Sequence, residues 1–532
     1  MKLFRPLYIS ALLLVLLSSC TSAKIPVLVA TNASNIDKTP LKTTPLKEAD
    51  LQRWSNLDLV KDTVPGMSVD KAYAQLLKGK KGVQVIVGVV DSGLDVDHVD
   101  LKGHIWMNKK EIPNNKIDDD KNGYVDDING WNFLGDATAE NLEVTRIVKK
   151  GDDGSEQYKM AKTALDAKLA EITPQKQQVD FILNADKIIR THLKKEKYTV
   201  DDLKKITSTV AEVLQSKQVM ESVASQAGAN FQEDINDFKN QVYDMINYNL
   251  NVAFTGRKTG DNPDTMDMKF YGNGNVKGPN VEDALHGTHV AGIIAQIRGN
   301  KLGSDGVCSN AVIMSVRCVP NGDEADKDIA LGIRYAVDNG AKVINGSFGK
   351  DFSPHKEWVW DAIKYAESKD VLIVTAAGND GKDVDVETTY PTDSSDKNTE
   401  IADNYLCIGA LNYEYGSKLV ASFSNFGSKN VDIYAPGMKI YATVPNNKYK
   451  MEQGTSMASP NVAGVAALIR SYYPSLTASQ VKHIIMDSGT ALSNEVILGE
   501  AKENRSFTAA SKSGRIVNAY NALLMAEQRS KK

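Results

Sequence analysis

The feature that most limits what this chain can fold into is a series of short, nearly continuous apolar runs. Val83 to Val90 is almost wholly Val and Ile, the pattern of a strand buried on both faces of a parallel sheet; a strand with one wet face alternates instead. Similar runs are Ala311 to Val316, Lys342 to Asn345, Val371 to Thr375 and Tyr405 to Ile408. Helix-like stretches such as Asp328 to Asn339 and Lys356 to Lys369 lie between several of them. Strands alternating with helices predict an α/β domain with right-handed crossovers and a mostly parallel central sheet.

Residues 136–255 break that pattern. They shift to Lys, Glu, Gln, Asp and Ala with helical spacing: Leu203, Ile206, Val210, Val213 and Leu214 recur on one face, and Ile235, Phe238, Val242, Met245, Ile246 and Leu250 on another. Thr199 with Asp202 three residues on forms a capping pattern. The segment is expected to be an all-helical insertion of three or four helices. Its apolar stripes could pack on each other, on the body or on a protein partner.

At the start, Lys2 and Arg5 precede the apolar Leu12 to Leu17, and Leu17-Ser18-Ser19-Cys20 follows. The run is too short to span a bilayer. It resembles a bacterial lipoprotein signal over residues 1–19, which implies acylation of Cys20 and an extracytoplasmic protein lipid-anchored in the cell envelope. A plain secretory signal with an incidental cysteine is the alternative. Residues 20–65 show no sustained apolar periodicity and are expected to form a tether. The net charge of −4, without a long basic stretch, sets nucleic-acid binding aside. Besides Cys20 there are Cys308, Cys318 and Cys407, an odd number, and the strand between Cys308 and Cys318 would hold them too far apart to pair. Buried free thiols are expected.

Three segments carry chemistry. Asp91 ends the first run within Val90-Asp91-Ser92-Gly93, at the carboxyl edge of a parallel sheet. Alone it is equally a turn former. His286-Gly287-Thr288-His289-Val290-Ala291-Gly292 opens a small-residue helix. It lacks the glutamate of a His-Glu-x-x-His zinc site. Gly454-Thr455-Ser456-Met457-Ala458-Ser459-Pro460 precedes another such helix, placing Ser456 where free N–H groups favour an anion.

Arriving in the order Asp, His, Ser, these segments resemble the signature blocks of the subtilase, or subtilisin-like, family of serine peptidases, over roughly residues 71–135 and 265–522. The resemblance implies a subtilisin-like three-layer α/β fold, the peptidase domain covering 66–135 and 256–525. It implies serine endopeptidase activity on proteins or peptides, with no catalytic cofactor. Asp91, His286 and Ser456 would form the triad, and Asn379, in Ala376-Ala377-Gly378-Asn379, the oxyanion donor. Ser347, Phe348 and Gly349 would pair with substrate and wall the P1 pocket, faced by Ala377 and Gly378. Thr389, before Tyr390-Pro391, would floor it and keep it shallow and uncharged, favouring Leu, Met or Ala. The rival reading is a weak or inactive subtilase-fold lipoprotein that docks a partner through its helical insertion.

Asp118, Asp120, Asn122, Tyr124 (by its carbonyl) and Asp126 alternate around Gly123, the spacing of a calcium loop, so a structural Ca2+ is expected. An EF-hand's twelfth-position glutamate is absent, Asn129 standing there. A solvated acidic turn fits the same residues. Between Cys20 and the peptidase domain there is also too little chain for a folded inhibitory prodomain.

Overall fold

A computed structural model describes residues 45–499 and 502–531; residues 1–44, and with them Cys20 and the signal, lie outside the described residues. The strands are β1 (Val85–Asp91), β2 (Gly130–Asn132), β3 (Ala311–Arg317), β4 (Val343–Gly346), β5 (Leu372–Ala376), β6 (Tyr405–Leu411) and β7 (Ile433–Pro436). After them come β8 (Ile440–Val444), β9 (Lys448–Glu452), β10 (Thr490–Ala491), β11 (Glu495–Leu498), β12 (Glu503–Ser506) and β13 (Arg515–Ile516). Among the described residues one sheet has nine strands in the order β10-β13-β7-β6-β5-β4-β1-β3-β2. All its pairings are parallel except β10 with β13.

The continuous apolar runs are explained by burial on both faces. Along β1, Val85, Val87 and Val89 join a core packed by α6 (Leu285–Ala295) and α9 (Thr455–Tyr472), while Val90 joins a core on the opposite face, packed by α7 (Asp326–Asp338) and α8 (Lys356–Ser368). This is a three-layer α/β fold. Helices α10 (Ala478–Ser488) and α11 (Ala519–Arg529) close the first face.

The insertion is helical: α1 (Glu143–Lys149), the 38-residue α2 (Glu156–Leu193), α3 (Val200–Lys204), α4 (Ala211–Ala227) and α5 (Phe231–Asp244). Thr199 and Asp202 form the expected capping box, each accepting the other's backbone N–H. The single face expected for 203–214 is divided, because the chain turns between α3 and α4. Leu203, Ile206 and Val213 share a buried cluster with Phe231, whereas Val210 and Leu214 are exposed. The insertion thus builds its own small cores.

The described part of the expected tether is not extended. Residues 48–65 fold onto the body: Trp54 is 1% exposed, its Nε1 donates to the Met438 carbonyl at 3.0 Å, and Val64 is fully buried. These apolar residues anchor short irregular turns, which leave no periodicity to read. Cys308 and Cys318 are buried free thiols, and Cys407 is a half-buried one. Among the described residues no helix is long and apolar enough to cross a membrane.

Candidate active site

Asp91 is the last residue of β1 and is 1% exposed. Helix α6 begins directly against the turn that follows it: a Cβ on Gly287 would stand 2.0 Å from the Gly93 carbonyl oxygen, so only glycine permits the approach. That contact brings His286 Nδ1 to 2.8 Å from Asp91 Oδ1, which also accepts the Ser92 N–H at 2.7 Å. A carboxylate can only accept, so Nδ1 carries the hydrogen and Nε2 of the neutral ring keeps its lone pair. Among the described residues, Asp91 Oδ2 is buried without a partner.

Gly454, at φ 150°, turns the chain into α9, and Ser456 follows in the first turn. Its Oγ donates to the Ser347 carbonyl at 3.2 Å, while Ser347 Oγ donates to the Ser456 carbonyl at 2.8 Å. The hydroxyl is therefore turned towards the turn after β4 rather than to His286. Asn379 Oδ1 accepts the Thr455 N–H at 2.8 Å. Because an N–H only donates, that atom is the oxygen, and the Asn379 amide nitrogen is left for the cleft.

Ser456, Asn379, Phe348, Gly349, Gly378 and Thr389 line one cavity of about 250 Å³. The Thr389 methyl lies 3.4 Å from where a Gly349 Cβ would be and 3.7 Å from that of Gly378, so it bridges the two walls. Ser347 and Ala377 are buried, at 3% and 2% exposed. The cavity's surroundings are not uncharged, as the wall residues alone had suggested. Lys350, Asp351, Asp380 and Asp323 reach it from neighbouring loops, and Leu142, Val144 and Lys168 from the insertion. Distant sequence segments supply these groups, so no local spacing announces them.

His289 does not act with His286. It is buried, and its Nε2 lies 3.0 Å from the Ile440 carbonyl and 3.1 Å from that of Lys450, bracing the β8–β9 hairpin against α6.

The acidic loop is folded partly as expected. Asp118 accepts the Asn122 and Gly123 N–H groups at 3.0 and 2.8 Å. Asp126, however, is turned to the N–H groups of Asn115 and Lys116, at 3.2 and 3.0 Å, and is not brought to the cluster. The carboxylates that converge are Glu111, Asp118 and Asp120, with ligand oxygens all within 4.8 Å of one another. Glu111 was missed because it precedes the motif and reaches in from outside the repeat.

The family profile described as the subtilase family matches residues 82–509. The chain belongs to that family, the subtilisin-like serine peptidases. A thermophilic serine proteinase of Bacillus sp. (strain AK1) is 43% identical over 187 residues, 35% of this chain and 42% of that protein. Subtilisin DY of Bacillus licheniformis is 35% identical over 227 residues, 42% of this chain and 77% of that protein. A solved protease structure from Pseudoalteromonas arctica PAMC 21717 is 21% identical with a TM-score of 0.47, covering 91% of this chain and 100% of that one.

Burial lowers the His286 pKa, and the Asp91 carboxylate raises it by charge and hydrogen bond; the carboxylate prevails and the net shift is upward from 6.5. The neutral ring able to accept a proton is therefore lost as pH falls through a value above 6.5. Histidine NMR titration is expected to find that value, and Asp91→Asn should lower it, because the Asp91 charge is lost while burial, and the lesser upward push of Glu452, remain. His289, pushed down to about 4 chiefly by burial, serves as the internal control. An unchanged His286 titration in the variant contradicts the coupling.

Proposed function

We propose that the protein is a serine endopeptidase that hydrolyses peptide bonds through Asp91, His286 and Ser456. The observation that carries this is the 2.8 Å pairing of His286 Nδ1 with the buried Asp91, in a subtilase-family chain whose Ser456 opens a buried helix beside Asn379. His286 Nε2 takes the Ser456 proton as Oγ attacks the scissile carbonyl, and Asp91 stabilises the imidazolium that results. The proton then passes to the leaving amine, and water repeats the sequence on the acyl-enzyme. The Asn379 amide and the Ser456 N–H at the α9 N-terminus face the developing oxyanion. Losing one such donor costs about 3 kcal/mol, a magnitude known from this family. No cofactor enters this chemistry.

Thr389 across the pocket supports a shallow site that favours Leu, Met or Ala before the scissile bond. Neither Glu387 nor Asp393 lines that cavity; the carboxylates that reach it, Asp323, Asp351 and Asp380, come from neighbouring loops rather than from the Thr389 side. Glu111, Asp118 and Asp120 would hold a calcium ion as a structural brace for the loop that packs Tyr124 against Trp131 and Tyr335. Cys20, where acylated, would tether the enzyme to an envelope membrane, its substrates being extracytoplasmic proteins.

A peptide-library digest read by mass spectrometry should show cleavage after medium apolar residues, and Ser456→Ala should release no products while keeping its melting temperature. Comparable cleavage by the variant removes Ser456 as nucleophile, and dominant cleavage after Arg or Lys overturns the pocket. Calcium should raise the melting temperature, an effect that Glu111→Gln largely removes; a titration that leaves the parent unchanged retires the site. Cys20→Ser should move the protein out of the membrane fraction, and an unmodified N-terminus beyond Cys20 in the native protein refutes the anchor.

A further inference from the structure

The first stretch of the insertion runs along the cleft. Asn321, in the loop after β3, donates its N–H to the Thr138 carbonyl at 3.0 Å and accepts the Glu140 N–H at 2.9 Å, so residues 138–140 pair with it as a short parallel strand. Thr138 and Ala139 line a cavity of about 650 Å³ beside His286, closed from the insertion's far end by Asp244 and Tyr248. Leu142 and Val144 line the cavity that holds Ser456. One segment thus passes both halves of the triad.

A buried ionic cluster holds it there. Arg146 donates to the carbonyls of Asn141 and Asp323 at 2.8 Å each and of Glu324 at 3.1 Å. Lys350 Nζ reaches Glu143 Oε2 at 2.9 Å, the Glu324 carbonyl at 2.8 Å and Asp326 Oδ1 at 2.9 Å. Lys350 directly follows Gly349, so the cluster ties the insertion to both banks of the cleft. Charges this buried stay only when paired, which makes the arrangement specific in position.

The opposite bank is open. Among the described residues no hydrogen bond engages the peptide groups of Phe348 or Gly349, and Gly349 is exposed. An unpaired edge next to Ser456 is where a peptide adds as a strand. With the acyl-side residue in the Thr389 pocket, the residues before it must continue along 348–349 towards Lys350. From Ser347 to Lys350 there are three steps, about 10 Å at 3.3 Å each, before the Lys350–Glu143–Asp326 cluster closes the way.

We propose that residues 138–146 stand where the upstream part of a longer substrate would lie, so that recognition ends about three residues before the scissile bond. The substrate class is then chain offered as short exposed segments, such as near-terminal stretches or tight loops, rather than long extended polypeptide. This rests on the proteolytic function proposed above.

The test uses N-acetylated peptides sharing one cleavage sequence, with two, three and five residues upstream of the scissile bond. Cleavage of the three-residue peptide reports on the proteolytic function; the dependence on length reports on this inference. kcat/KM should change less than fivefold between three and five residues, and a rise of fivefold or more overturns the inference. Calorimetric binding of the same peptides to the Ser456→Ala protein reads length dependence without turnover, with the same fivefold limit. Arg146→Ala should free the segment and give the five-residue peptide at least a tenfold advantage. Should that variant fail to fold, Leu142→Gly, which opens the cavity wall and leaves the ion pairs, should shift the ratio in the same direction. No shift in a folded variant overturns the proposal.

Discussion

The arrangement depends on one close approach, that of α6 to the end of β1. Asp91 ends β1 at the carboxyl edge of the sheet, its buried carboxylate held by Ser92 and His286. Gly287 lets the helix start touch the Gly93 carbonyl, and that contact sets both the tautomer and the basicity of His286. Everything else in the cleft is arranged around this pair: α9 presents Ser456, the turn after β5 presents Asn379, and the turn after β4 presents an unpaired edge.

On the inference drawn above, the insertion bears on the same chemistry. It has its own cores, around Phe231 and around Val242, but its entry segment is bound into the α/β body by Arg146, Glu143 and Lys350. On the proposed function, the Thr389 pocket selects the bond, and Asp91, His286 and Ser456 break it. The insertion, on this view, governs how much chain can be presented to the cleft, and a dense buried ion cluster holds it there because pulling one partner away would leave the others buried and unpaired.

Much of this was legible in the sequence, for stated physical reasons. Two-faced burial writes continuous Val and Ile runs, so β1, β3, β4, β5 and β6 were readable to within a few residues. The Thr199–Asp202 capping box was readable because it is local. Groups that act across the fold were not. Glu111 joins Asp118 and Asp120 from outside their repeat, Asp126 leaves it to cap a neighbouring turn, and Lys350 meets Glu143 only because the insertion folds back. Trp54 and Val64 anchor residues 48–65 to the body through contacts far away in the chain, which a search for periodicity cannot see.

If Asp91 and His286 activate Ser456, its reactivity belongs to the fold and not to the serine itself. A fluorophosphonate that modifies activated serines, followed by peptide mapping, tests it most directly. One adduct is expected, on the peptide containing Ser456, formed by the native protein and absent after unfolding in urea or in Gly287→Val, where the helix start is forced off β1. An adduct on another serine, or equal labelling of Ser456 in native and unfolded protein, would contradict it.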